Sequence, residues 1–311
     1  MKKKTKKFVR IRYREHTATE KTYIYLYKQF CRSCEIAMVI SLNQGGIKTD
    51  GRGLRAANIF TRQVLTAHSL NKLLPVLRNG DDPDMAVWDL TTIALLSRSI
   101  MENFQALFFY GTEIISEEEA DLRFHILQKD RNYKWRDIRV KAGEPVETLE
   151  EFTTGLLEQQ ARIVNHEFYS SLSKGQKNSL KNRSEMYYSK AEFEARCPRL
   201  ANIGLSHQLL SNLAHPLPLA IERIDELKGR GTPNDADINL AIFSLNVATD
   251  CLIGSIEEMG IKFADNIGVP YRITDTGACK IPRVNLTFIT SASSPKWTGG
   301  QIKMMNRNKM F

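Results

Sequence analysis

Acidic residues are missing from both ends of this chain: none precedes Glu15 and none follows Asp275. Lys2, Lys3, Lys4, Lys6, Lys7, Arg10, Arg12 and Arg14 place eight positive charges ahead of Glu15. Lys280, Arg283, Lys296, Lys303, Arg307 and Lys309 place six more after Asp275. The whole chain carries +9, so the stretch between the two arms is net −5. The basicity therefore belongs to the arms, which either attract RNA or another polyanion or keep the chain soluble.

Cysteine is scarce, at five residues in 311. Cys31 and Cys34 form a lone C-x-x-C without the second pair a structural zinc site needs, and Cys197, Cys251 and Cys279 are scattered. A disulfide framework is thereby excluded, and two half-buried helix cysteines are expected over a redox motif. The lysine-rich start runs into Phe8-Val9-Arg10-Ile11-Arg12, not into an apolar leader core. No stretch reads as long and apolar enough to cross a membrane, so a cytoplasmic protein is expected. Gly46-Ile47-Lys48-Thr49 lacks the preceding glycine of a phosphate loop, and zinc, EF-hand and dinucleotide fingerprints are missing too. Neither cofactor nor metal is expected.

What the chain does have is helical periodicity almost throughout 20–264. It predicts an all-α, multi-helix bundle over 17–265, with a basic arm at 1–16. A basic, partly disordered tail at 266–311 follows, carrying a short irregular or single-hairpin extension where Val284, Leu286 and Phe288 alternate with polar residues. Helices are predicted at about 19–42, 54–77, 84–112, 117–142, 147–172, 191–196, 200–214, 217–227 and 236–264, with a polar basic loop at 173–190. Ser116 and Glu119 have the spacing of a capping box at the start of the fourth helix.

Two polar features interrupt this apolar pattern. Between Leu90 and Tyr110 the only charged residues are Arg98 and Glu102. A helix apolar nearly all round is buried, which predicts a buried pair. Burial of an ion costs several kcal/mol, about, before pairing offsets it. Either the pair tethers a neighbouring helix, or Arg98 holds an anion that Glu102 helps orient. The second feature is His207, Ser211 and His215, spaced four apart as a polar stripe on one helix. Pro216 pushes His215 out of helical geometry to the helix end. Roughly 12 Å along the helix axis separates the two histidines, too far for a shared metal. Ser211 with His215 has the residue types of a nucleophile and its base, but no oxyanion motif accompanies them. A capping role for His215 is the competing reading.

Trp88-Asp89-Leu90, Leu96-Ser97-Arg98-Ser99-Ile100-Met101-Glu102, Glu117-Glu118-Glu119 and Arg123-Phe124-His125, followed by Leu210-Ser211-Asn212-Leu213-Ala214-His215-Pro216, together resemble an uncharacterised bacterial all-helical family. That family is known only as domain of unknown function 5677. The resemblance covers about 54–224 and implies a helical fold with a polar site, without implying an activity.

The Arg-x(4–6)-His motif of HEPN-type ribonucleases is matched by Arg62 with His68 and, in the arm, by Arg10 with His16, while Arg162 with His166 misses it by one residue. In those enzymes the histidine acts as general base on a ribose 2′-hydroxyl and the arginine steadies the phosphate. Here the roles fall to His68 with Arg62, or, by an unorthodox assembly, to His215 with Arg98.

A third candidate surface runs through Lys129, Arg131, Tyr133, Lys134, Trp135, Arg136, Arg139 and Lys141, six basic residues and two aromatics able to neutralise phosphates and stack on bases. A solvated helix end is the plainer reading. Two functions follow from the residues. One is an RNA-directed protein, at its most specific a metal-independent ribonuclease of a bacterial defence or toxin system. The other is a non-catalytic helical binding or assembly module with a structural ion pair, able to form a homo-oligomer.

Overall fold

The structure is a computed structural model and describes residues 15–77, 86–181, 186–215 and 235–263. The chain divides into two units, Met1–Val269 and Pro270–Phe311, and every described residue belongs to the first. Nearly all of the expected arm, the predicted helix at 217–227 and the tail with its short extension lie outside the described residues.

The fold is all-α, a multi-helix assembly with no strand among the described residues. Helix α1 (Ala18–Asn43) opens with a full capping box, in which Thr17 and Glu20 exchange side-chain and backbone hydrogen bonds. Gly46, at φ +84°, closes the turn that follows. Helix α2 (Gly51–Leu73) is capped by Asp50, whose carboxylate accepts from the Gly53 N–H at 2.6 Å. Helix α3 (Leu90–Leu107) is capped by Asp89, begins six residues after the predicted start, and runs into a π-helical turn at Phe108–Thr112.

Helix α4 (Glu117–Lys141) and helix α5 (Val146–Val164) pack along one another. Helix α5 ends well before the predicted 172. There His166 turns its Nδ1 onto the Phe168 N–H, and a 3-10 turn at Glu167–Ser171 follows. The loop predicted at 173–190 contains helix α6 (Lys174–Lys181). Its start is built by Ser173 and Gln176, each side chain accepting the other's backbone N–H. Helices α7 (Lys190–Arg196), α8 (Ile203–Ala214) and α9 (Asp235–Lys262) complete the fold.

The core is the packing of α9 against α1, α2 and α3, with α2 lying on α3 and α8 along another side of α3. Tyr23, Phe30, Phe60, Phe104, Leu245 and Leu252 are fully buried there, each contributing about 1.5–3 kcal/mol by leaving water. Against expectation, one helix, α9, is long and apolar enough by length and composition to cross a membrane. Its apolar character is used in the bundle, where Leu245, Ala248, Leu252 and Met259 are buried. Close approach also requires glycine at 111, where a Cβ would stand 2.8 Å from the Ala56 Cβ of α2.

Candidate functional site at the edge of α3 and α8

Helix α3 places Arg98 and Glu102 one turn apart, and Arg98 Nε donates to Glu102 Oε1 at 2.7 Å. The expected burial does not hold. The Arg98 side chain is 24% exposed and that of Glu102 45%. Composition misleads here because only one side of this part of α3 is covered. Ser97, Ile100, Met101 and Phe104 take the buried positions, and the pair stands at the border.

Helix α8 supplies the partners. His207 Nε2 lies 3.4 Å from Glu102 Oε1, and His215 Nε2 lies 3.5 Å from Arg98 Nη1. His215 ends the helix with extended backbone, φ −103° and ψ 152°, as the following proline demands. His215, Arg98, Glu102 and His207 thus form one continuous polar chain across two helices, open to solvent. Burial, then the Arg98 charge, pushes His207 below its ordinary imidazole pKa, with Glu102 pulling the other way.

Ser211 joins the chain differently from expectation. Its hydroxyl donates to the His207 carbonyl at 2.6 Å and lies 3.4 Å from His207 Nδ1, so its side-chain neighbour is His207 and not His215. A hydroxyl bound to its own helix is poorly placed as a nucleophile. His207 is the residue that sequence reading left out of the site, though its four-residue spacing to Ser211 was the available signal.

Arg123 does not join this cluster. It is 2% exposed and builds a separate buried network. Its guanidinium pairs with Glu113 at 2.7 Å and with Glu119, donates to the Phe109 carbonyl and to both Tyr187 and Tyr188, and lies 4.0 Å over the Phe109 ring. Arg196 reaches Glu113 at 2.7 Å from α7. Two cations and two carboxylates balance, and the tyrosine hydroxyls fill the remaining acceptor positions. Burial works against the Arg123 charge, Tyr187 and Glu113 outweigh it, and its pKa lies above the ordinary value. Burial raises the Glu119 pKa, but Tyr187 and Arg123 leave it lowered overall. The capping box expected at Ser116 is therefore half made: Ser116 accepts from the Glu119 N–H, while the Glu119 carboxylate goes to Arg123 and Tyr187.

The alternative motif on α2 does not assemble. Arg62 and His68 are both exposed on an unbroken helix. A six-residue offset there turns them about 120° apart and separates them by about 9 Å along the axis. His16 is bonded to Glu20 at 3.2 Å and His166 to Asp121 at 3.2 Å. Of the two cysteines in C-x-x-C, Cys31 donates to Asn71 and Cys34 is buried, its thiol pushed up to about 12 by that burial. A thiol so hard to ionise is a poor redox group. Among the described residues no group of three His, Cys, Asp or Glu side chains could hold a metal ion.

The basic stretch on α4 is split by the helix into different surroundings. Arg136 donates to Thr153 and Arg139 lies over the Phe152 ring, both against α5. Arg131, Lys134 and Trp135 face solvent, with Lys134 paired to Asp130 at 3.0 Å. Lys129 and Tyr133 line a groove between α4, α5 and α6. Comparison of the chain with protein-family models, with curated proteins and with solved structures finds no match in any of the three.

Proposed function

We propose that this is an RNA-directed protein whose α3–α8 edge cleaves a phosphodiester without a metal ion, as a ribonuclease of a bacterial defence or toxin system would. The observation that carries the reading is the meeting of Arg98 and His215 at 3.5 Å, a fixed cation beside an exposed imidazole. Neutral His215 takes the proton of a ribose 2′-hydroxyl. The 2′-oxygen bonds to phosphorus as the bond to the 5′-oxygen breaks, leaving a 2′,3′-cyclic phosphate. The departing 5′-oxygen takes its proton from water at this open edge. Arg98 neutralises charge building on the phosphate oxygens. Glu102 holds the guanidinium through Nε and is itself held by His207. Part-exposed groups at a solvent-facing edge suit a polymer that lies across them more than a small molecule that must be enclosed.

The rival reading is a non-catalytic binding or assembly module, and the Arg123 network favours it, being charge-balanced and complete without any ligand. The test is cleavage of labelled single-stranded RNA in the presence of a chelator. His215→Ala and Arg98→Lys are expected to stay helical and to lose about 10²–10⁴-fold in rate, since lysine keeps the charge but not the planar fork. Arg62→Ala and His68→Ala are expected to cleave normally. Loss confined to this second pair moves the site to α2. Uncut RNA, with mutants that alter nothing but stability, establishes the module.

A further inference from the structure

Arg52 and Arg55 in the first turns of α2 and Lys262 in the last turn of α9 share one corner of the bundle, all three half-buried. The Lys262 ammonium lies within the field of both guanidinium groups and of Asp50, the carboxylate that caps α2. Arg52 donates to the Glu113 carbonyl just after the π-helical turn. Arg55 lies 4.8 Å over the Phe124 ring of α4, with its Nη1 3.8 Å from where a Cβ on Gly51 would stand. Three cations thus meet one carboxylate, and that carboxylate already accepts from the Gly53 N–H at 2.6 Å. We infer that this corner is a binding site for a phosphate monoester dianion, separate from the α3–α8 edge and independent of the cleavage reading.

Charge selects the ligand. Arg52, Arg55 and Lys262 against Asp50 leave two positive charges, which a phosphate monoester matches with roughly −1.5 to −2 at neutral pH and a singly charged phosphodiester does not. The neighbouring acids are engaged elsewhere. Glu113 is paired with Arg123 and Arg196, and Glu258, four residues before Lys262, has Thr112, Glu257 and Glu113 around it. Among the described residues neither Arg55 nor Lys262 has an ion-pair partner. A guanidinium laid on a ring keeps its edge N–H groups in one plane, the arrangement that takes two oxygens of one phosphate. The Arg55 Nε is covered and makes no hydrogen bond, so the Nη groups are the edge offered. Lysine adds a point charge that makes no demand on orientation. Burial lowers the Lys262 pKa, and Arg52 and Arg55 lower it further against the pull of Asp50. A bound dianion relieves that crowding of like charge. Inorganic phosphate and a monoester carried on a larger molecule share this chemistry.

The experiment is calorimetric titration of the full chain near neutral pH with inorganic phosphate, phenyl phosphate and the diester dimethyl phosphate. Saturable binding of at least one of the two dianions is expected, with dimethyl phosphate at least about tenfold weaker. Tighter binding of inorganic phosphate assigns the free ion as the source, and tighter binding of phenyl phosphate assigns an esterified group. Arg55→Gln and Lys262→Gln are each expected to weaken binding about tenfold, while His215→Ala leaves it unchanged. Asp50→Asn keeps a good helix cap and removes the one opposing charge, so it should tighten binding. Because Arg55 packs on Phe124, circular dichroism accompanies every variant, and Lys262→Gln at the end of α9 decides if Arg55→Gln loses helicity. No saturable binding of either dianion overturns the proposal. So does equal binding of dimethyl phosphate, or binding that survives Arg55→Gln and Lys262→Gln in folded protein.

Discussion

Arg98 on α3 and His215 at the end of α8 meet at 3.5 Å although 117 residues of sequence separate them. The contact exists because α8 lies along α3 and because α8 stops at His215, where the chain turns extended. Around it, Glu102 ties Arg98 to His207, so the four residues form one connected set of contacts.

The two arginine clusters should respond very differently to truncation. Glu102→Ala breaks a pair whose members are 24% and 45% exposed, and the expected cost is about 0–1 kcal/mol. Arg123→Ala removes the guanidinium that pairs with both Glu113 and Glu119 in a buried site, leaves Glu119 only its tyrosine hydroxyl contacts there, and should cost about 3–5 kcal/mol. Urea unfolding of both variants checks this, and equal midpoint shifts would contradict it.

Acid should weaken the protein through the same network. Glu119 has its pKa lowered in the folded state, so its contribution is fully present above the ordinary carboxylate value of about 4.3 and is lost as pH falls through the lowered one. Thermal midpoints measured between neutral pH and strong acid should therefore drop in that lower window. Glu119→Gln, less stable at neutral pH, should show a shallower drop over the same window.

His207 offers a titration that reads the candidate site directly. Burial and then the Arg98 charge lower its pKa from 6.5, so the imidazole proton resonances should titrate below that value. Arg98→Gln removes the second cause and should move the midpoint upward. A midpoint unaffected by Arg98→Gln would mean that the guanidinium does not sit where this geometry puts it.

Gly111 tests the packing of the π-helical turn on α2. In an exposed helix interior, glycine to alanine stabilises by about 1 kcal/mol. Here the new Cβ would stand 2.8 Å from the Ala56 Cβ and 3.1 Å from its Cα, so backbone must move. Gly111→Ala is expected to destabilise by about 1–3 kcal/mol, seen as a lower urea midpoint. Replacement of Ala56 by glycine in the same chain should recover part of the loss.

What the sequence determined by itself is everything that depends on residues a few positions apart. The helical rhythm of α1, α2 and α9, the caps at Thr17 and Ser116, and the spacing that sets Arg98 beside Glu102 all lie within one or two turns. The four-residue stripe of His207, Ser211 and His215 is equally local, as is the Ser173–Gln176 cap that the basic composition of its surroundings concealed. Tertiary structure decided which helix meets which. It left Arg98 and Glu102 at a border that apolar neighbours had suggested was covered, and it brought His207 and His215 to them. It buried Arg123 instead, with Tyr187 and Tyr188 arriving from 64 and 65 residues away. The reason is that composition states how apolar a helix is, whereas burial and ion pairing depend on which of its sides another helix happens to cover.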